Sequence, residues 1–209
     1  PYEYQPGTPP EIITLARPED LKAMEDDIRR ARSMADLVVA SFHWGLHNVR
    51  ALLPMYQQEV GYAAVDAGAD IVLGHHPHIL KGIEVYKGKV IVHSLANFVM
   101  EARKNLQEGG TGKTAGGTAW RRLMHQLYQT PHPAQKKSIL LRCTITGSKI
   151  VRVAYPPVLI NDTMEPEVLL QGDPRGDQVI QYMSDISNEA GLDTIFNREG
   201  DEVVVAGVQ

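Results

Sequence analysis

The sequence predicts an α/β fold, and three observations predict it. Short apolar runs, "DLVVASF" and "DIVLG", alternate with segments of helical period. Parallel strands buried on both faces read as such runs. The order helix, strand, helix, strand then implies a βαβ unit on a parallel sheet. Downstream, β-branched segments separated by short polar turns imply added antiparallel strands. The length of 209 residues suits one domain, or one and a half.

The elements follow in chain order. The opening "PYEYQPGTPP" is proline-rich and predicts an extended linker over residues 1–18. It lacks an initiator methionine and reads as a processed chain or a fragment. Leu21, Met24, Ile28, Ala31 and Ala35 recur at three- and four-residue steps. That spacing predicts an amphipathic helix, opened near Pro18 with acids in its first turn. "DLVVASF" is a buried strand ending at His43. Pro54 stands at a first helical position, and the helix it opens stops at Gly68. "DIVLG" is a second buried strand, ending at His75. "GIEVY" and "KVIVHSLANFVM" are two strands around a Lys87-Gly88 turn.

Residues 101–137 are polar and weakly periodic, and predict a surface excursion. "KSILLRCTI" and "KIVRVAY" form a hairpin about Gly147-Ser148. Ile139, Leu141, Cys143 and Ile145 are expected on one strand face, which makes Cys143 a packing residue. In the tail, Val179, Met183, Ile186 and Ala190 line a helix that Gly191 ends. "EVVVAG" supplies a last strand.

Composition excludes several functions. Net charge is −4, with both signs interspersed, so there is no basic patch for nucleic acid. One cysteine forbids an internal disulfide and a cysteine-based zinc site. No apolar stretch is long enough to span a bilayer, and no secretory signal is visible. The chain as given is expected to be soluble. Whether a longer parent is membrane-anchored or cytoplasmic stays open.

The chemistry lies in the histidines. Three of the chain's eight fall in "VLGHHPH". His43 ends one buried strand; His75, His76 and His78 end the next. Ligands of open α/β sheets bind beyond the carboxyl ends of strands. Neutral imidazole is a common ligand for zinc, iron and nickel. Pro77 fixes φ between His76 and His78 and stiffens their relation. His47 follows His43 by four residues, but Gly45 argues against a helix joining them. His93 faces either the site or the core. His125 and His132 belong to the polar excursion.

"QEGGTGKT" imitates a phosphate-binding loop. Gln107 stands where the first glycine belongs, however, and no strand precedes the segment or helix follows it. The mechanism needs backbone N–H groups between a strand and a helix. Lys113 is therefore not expected to bind phosphate.

"ADLVVASFHWG", "AAVDAGADIVLGHHPHILKGIEVYKGKVIVHSLANFV" and "PPVLI" resemble the bacterial capsule-synthesis CapA family, linked to poly-γ-glutamate production and similar to calcineurin-like metallophosphoesterases. The resemblance is strong over about residues 20–100. It implies part of a layered α/β/β/α sandwich with metals at strand ends. Residues 19–165 would be the C-terminal half of that domain, and 166–209 a helix and strand extension. By likeness, His43, His76 and His78 hold metal, while His75 and Asn97 orient substrate or water. His75 takes the glycine place of the family's Gly-His-x-His. Ala96 takes the glycine place of its Ser-Leu-Gly-Asn-Phe, and His47 stands where glutamate is common. The implied cofactors are divalent ions, manganese, iron or zinc, two if the domain is complete.

The family's early Gly-Asp and Asn-His motifs do not precede His43. A bridged pair of ions needs carboxylate as well as imidazole. The expected partner is therefore a missing N-terminal half or a second copy, with a phosphoester or polyanionic polymer as substrate. The readings weighed are a CapA-type metal-dependent hydrolase, a non-catalytic component of a polymer synthesis or export assembly, and a three-histidine mononuclear zinc hydrolase.

Overall fold

The structure is a computed structural model that describes residues 2–3, 11–99 and 133–208. Two short strands, β1 (Tyr2–Glu3) and β2 (Glu11–Ile12), pair antiparallel. Helix α1 (Pro18–Arg32) follows, with Pro18 at its start and Glu19 and Asp20 in its first turn. Acids there complement the amino-terminal end of the helix dipole, and Arg29, Arg30 and Arg32 complement the other end. Ile28 is its buried contact, and Ala35 falls beyond the helix end.

Strand β3 (Val39–His43), helix α2 (Met55–Ala67) and strand β4 (Ile71–His75) form the predicted βαβ unit. The two strands pair parallel, from Val39 opposite Ile71 to His43 opposite His75. Pro54 is the residue before α2, one place earlier than expected. Gly68 ends the helix with φ 118°, a conformation glycine adopts without penalty. Strands β5 (Leu80–Tyr86) and β6 (Lys89–Leu95) turn about Lys87 and Gly88, both left-handed. The sheet order is β3-β4-β6-β5, which leaves β3 at an edge.

The next segment corrects an expectation. "KSILLRCTI" is not one strand. It divides into β7 (Lys137–Ile139) and β8 (Arg142–Thr146), preceded by a 3-10 turn at Pro133–Lys136. Strand β9 (Lys149–Tyr155) pairs with β8, while β10 (Pro157–Ile160) pairs with β7 and with β11 (Pro166–Val168). The chain crosses between sheets at Leu140-Leu141, and a bulge follows at Thr144/Ile145. The side-chain alternation therefore breaks. Ile145 is exposed, while Ile139, Leu141 and Cys143 still line one groove. Cys143 has no disulfide partner, and burial raises its thiol pKa, in keeping with packing.

Helix α3 (Pro174–Glu189) is capped by Asp173, whose side chain accepts from the Arg175 N–H. Strands β12 (Phe196–Glu199) and β13 (Glu202–Val205) form a closing hairpin. Of these, β12 was not legible in the sequence. β13 pairs with β9, so the tail belongs to the second sheet, ordered β12-β13-β9-β8.

Two apolar layers hold these parts together. One lies between α1, α2 and the outer face of the β3-β4-β6-β5 sheet, with Ile28, Ala40, Trp44, Ala64, Val72 and Ile91. The other lies between the sheets and against α3, with Ile83, Val92, Val153, Tyr155, Met183 and Val203. The phosphate-loop look-alike with Lys113, together with His125 and His132, lies outside the described residues. No helix among the described residues is long and apolar enough to cross a membrane.

Candidate metal centre

Strands β3 and β4 run parallel and in register, so His43 and His75 end at the same level. Two backbone bonds fasten the loops that follow. Trp44 N–H donates to the His75 carbonyl at 3.1 Å, and Asn48 N–H to the Pro77 carbonyl at 2.9 Å. The loop after β3 turns at Gly45, φ 89°, whose N–H donates to the Tyr56 hydroxyl at 2.7 Å. Its far end is held by Arg50, bonded twice to Glu189 of α3 at 2.9 and 2.7 Å. Beneath it, the buried Lys81 ammonium donates to the carbonyls of Val49 and Leu52. Burial pushes the Lys81 pKa down to about 8.

This frame gathers four imidazoles. The His43 and His76 ring centres are 4.6 Å apart. His47 is 5.9 Å from His76 and 5.0 Å from His78. His76 and His78 are 6.4 Å apart. Both flank Pro77 with positive φ, 98° and 58°. Such backbone is uncommon outside glycine, though histidine is among the residues that tolerate it, and it concentrates at functional sites.

Asn97 sets the state of His78. Its amide nitrogen donates to the carbonyls of His78 and Gln135, at 3.1 and 3.3 Å. Its Oδ1 must then be the acceptor facing His78 Nδ1 at 2.7 Å. Nδ1 therefore carries a proton, and in the neutral ring Nε2 is the nitrogen that keeps its lone pair. A hydrogen-bond acceptor placed at one ring nitrogen fixes the tautomer of a neutral imidazole in this way. Ala96, beside it, is left-handed with φ 64°, where the family resemblance placed glycine. Gln135 also donates to Asn48 Oδ1 at 2.9 Å, tying the segment before β7 to the histidine loop. Nothing in the sequence marked Gln135 or Asn48 for this part.

His75 and His93 lie elsewhere. His75 lines an apolar groove of about 380 Å³ between the sheets, with Val39, Leu73, Leu95, Leu141 and Cys143. His93 is fully buried in the core beneath Trp44. The Gln57 amide donates to its Nδ1 at 3.3 Å, so its Nε2 donates to Glu84 at 3.2 Å. Gly74 makes the Trp44 contact feasible. A Cβ there would meet the His93 carbonyl oxygen at 2.2 Å and Trp44 Nε1 at 2.4 Å.

Electrostatics disfavour the charged forms of two of the rings. Burial, then His43 and His78, hold the His76 pKa below its ordinary 6.5. Burial, then His78 and His76, act likewise on His47. No carboxylate bonds to any of the four rings among the described residues. Nor do any three His, Cys, Asp or Glu side chains there close on an ion as they stand. The donor chemistry suits one borderline ion such as zinc. It does not suit a bridged pair, whose mutual repulsion needs anionic ligands between the ions.

Helices on one face of a mixed sheet and a second sheet on the other make a layered α/β fold of the metallophosphoesterase-like type. Comparison with known sequences narrows the class. Residues 2–102 match the profile of "Bacterial capsule synthesis protein PGA_cap". It is 38% identical over 112 residues to the "PGA biosynthesis protein CapA" of Bacillus subtilis (strain 168), covering 46% of this chain and 28% of that protein. It is 49% identical over 67 residues to the "Capsule biosynthesis protein CapA" of Bacillus anthracis, covering 32% and 16%. A "Probable polyglutamine synthesis accessory protein" of Mycobacterium tuberculosis is 36% identical over 66 residues, covering 31% and 17%. The matched regions thus span less than a third of each of these relatives' length.

Proposed function

We propose that this chain is part of a metal-dependent, phosphoesterase-type hydrolase serving poly-γ-glutamate capsule biosynthesis. The observation that supports it is the convergence of His43, His76 and His78 at adjacent parallel strand ends. A divalent ion held there, manganese, iron or zinc, would supply Lewis acidity and an activated water. His43, His76 and His78 would be its ligands, two such ions being held once the domain is completed by an N-terminal half or a second copy. Asn97 keeps His78 in the tautomer that leaves Nε2 free. His75, at the groove wall, would meet a phosphoester or polyanionic substrate on the apolar side. His93 takes no part, because its ring is committed to Gln57 and Glu84.

The test uses the chain alone and the chain co-purified with a polypeptide carrying the Gly-Asp and Asn-His motifs. Each is loaded with Mn(II) and given bis(p-nitrophenyl) phosphate. The isolated chain should bind at most one ion and turn over little. The completed domain should bind two and hydrolyse the ester, and His76→Ala should abolish that gain. A completed domain with two bound ions and no turnover would overturn the hydrolase reading.

One observation favours a second reading. No carboxylate bonds to the imidazoles among the described residues, so the cluster has no general base of its own. A non-catalytic component would use the same surface to bind a polyanion. Metal-independent retention of poly-γ-glutamate, without turnover by the completed domain, would select it.

A further inference from the structure

Three cations gather beside the histidine loop, two of them around one tyrosine ring. Arg50 Cζ lies 4.8 Å from the centre of the Tyr182 ring, and Lys137 Nζ lies 5.2 Å from it. The buried Lys81 ammonium sits under Val49 and Leu52, on either side of Arg50 in the chain. We propose that Arg50 and Lys137 form a subsite for one carboxylate of an extended polyanionic ligand. The proposal rests on the polyanionic-substrate reading above and deepens it, because it assigns the contact that recognises such a chain.

Charge balance supports the assignment. Glu189 bonds to Arg50, and Asp185 also acts on it. Lys81 and Lys137 meet no carboxylate among the described residues. Burial lowers the Lys81 pKa, and burial, then the repulsion of Arg50, lowers that of Lys137. Three cations thus face two carboxylates, an excess of one positive charge. Holding like charges together, partly out of water, is unfavourable unless an anion lies between them. One further carboxylate balances the group, whereas a phosphate dianion overshoots. The buried Tyr182 hydroxyl also finds no acceptor among the described residues, so the spot is rich in donors and short of acceptors.

The subsite is open and borders the strand ends. The Arg50 side chain is 46% exposed, and Lys137 is half-buried. Arg50 follows His47 by three residues, and Lys137 opens β7 directly after the Pro133–Lys136 turn. Gln135 of that turn bonds to Asn48, and its carbonyl accepts from Asn97, whose Oδ1 faces His78. A chain with its reacting group at the imidazoles therefore lays a flanking carboxylate on Arg50 and Lys137. Glu189 already holds two nitrogens of Arg50, so it shares that guanidinium with the ligand and competes with it.

The test follows the binding of a fluorescent γ-linked glutamate oligomer to the full chain by anisotropy. Chelator is present, so the subsite is read apart from any metal. Binding that weakens with added salt is expected. Lys137→Gln and Arg50→Gln should each weaken it by about 10-fold. Glu189→Gln should tighten it by about threefold, a gain that a merely structural ion pair does not give. Lys149→Gln makes the same charge change beside Asp70 and Lys89, at the opposite end of the sheet, and should shift affinity by less than about twofold. Melting temperatures read beside each titration separate a lost contact from misfolding. An unchanged affinity in Lys137→Gln, or an equal loss in Lys149→Gln, would overturn the subsite. Displacement of the oligomer by inorganic phosphate at equal charge would overturn the carboxylate assignment. No oligomer binding by the intact chain, beside ester turnover by the completed domain, sinks the subsite and leaves the hydrolase reading standing. Subsite binding with no turnover does the reverse.

Discussion

Gly74 is the point where the fold and the histidine cluster depend on one atom's absence. In Gly74→Ala the new Cβ would sit 2.2 Å from the His93 carbonyl oxygen and 2.4 Å from Trp44 Nε1, against ordinary contact from 3.4 Å. Both neighbours must move by about 1 Å, and neither is free to do so. The carbonyl belongs to β6, and it accepts from Trp44 at 3.0 Å and from Gln57 at 3.2 Å. Trp44 is buried and stacks on Phe42 with ring centres 4.8 Å apart. Overpacking of this kind costs about 1–3 kcal/mol. Losing the indole hydrogen bond adds about 1 kcal/mol. The expected loss is about 2–4 kcal/mol, a large share of a typical 5–15 kcal/mol. Urea unfolding should show a lower midpoint at unchanged slope. Because Trp44 N–H also joins the two loops through the His75 carbonyl, zinc affinity should fall in parallel. Trp44→Phe, which removes the indole N–H, should cost only about 1 kcal/mol. The double variant Gly74→Ala/Trp44→Ala should lose less than the sum of its parts, because one of the two clashes is gone. A loss below about 1 kcal/mol in Gly74→Ala would refute the packing argument.

Three further outcomes follow from single features. Ala96→Gly should stabilise by about 0.5–1 kcal/mol, because it removes left-handed strain of about 1–2 kcal/mol and adds back part of it as chain entropy; a lower urea midpoint would contradict it. Asn97→Leu should weaken zinc binding by about 10–100-fold with an unchanged circular dichroism spectrum, and Asn97→Asp should retain binding, since it keeps the acceptor for His78 Nδ1. Equal affinity in Asn97→Leu would remove the tautomer argument. The lowered pKa values of His76 and His47 make the folded chain bind fewer protons than the unfolded chain below their ordinary 6.5. Their contribution is therefore intact above that value and lost as pH falls through it. In chelator, the unfolding midpoint should drop as pH falls below about 6.5, and the double variant His47→Gln/His76→Gln should flatten that drop. An unflattened profile would assign the drop to other groups.

The sequence by itself determined the βαβ unit and the strand ends that carry the histidines. Its apolar runs, helical periods and the Gly68 stop are local signals, and parallel pairing follows from their order. The Lys87-Gly88 and Gly147-Ser148 turns were legible for the same reason, being fixed by residues adjacent in the chain. The split of "KSILLRCTI" was not. Whether Leu140-Leu141 continues a strand or crosses between sheets depends on two different partners further along the chain, Pro157 to Leu159 for β7 and Arg152 to Ala154 for β8. Likewise β12 and β11 are short and polar, and exist because neighbours supply their hydrogen bonds. At the candidate site, the sequence named the imidazoles without deciding which of them meet. Only the tertiary structure put His93 under Trp44, turned His75 into the groove and seated His47 between His76 and His78. Ring position at the end of a strand is set by the loop that follows. That loop is held by contacts from Asn48 to Pro77, Gln135 to Asn48 and Lys81 to Val49, which join residues 29 to 87 positions apart and leave no local periodicity to read.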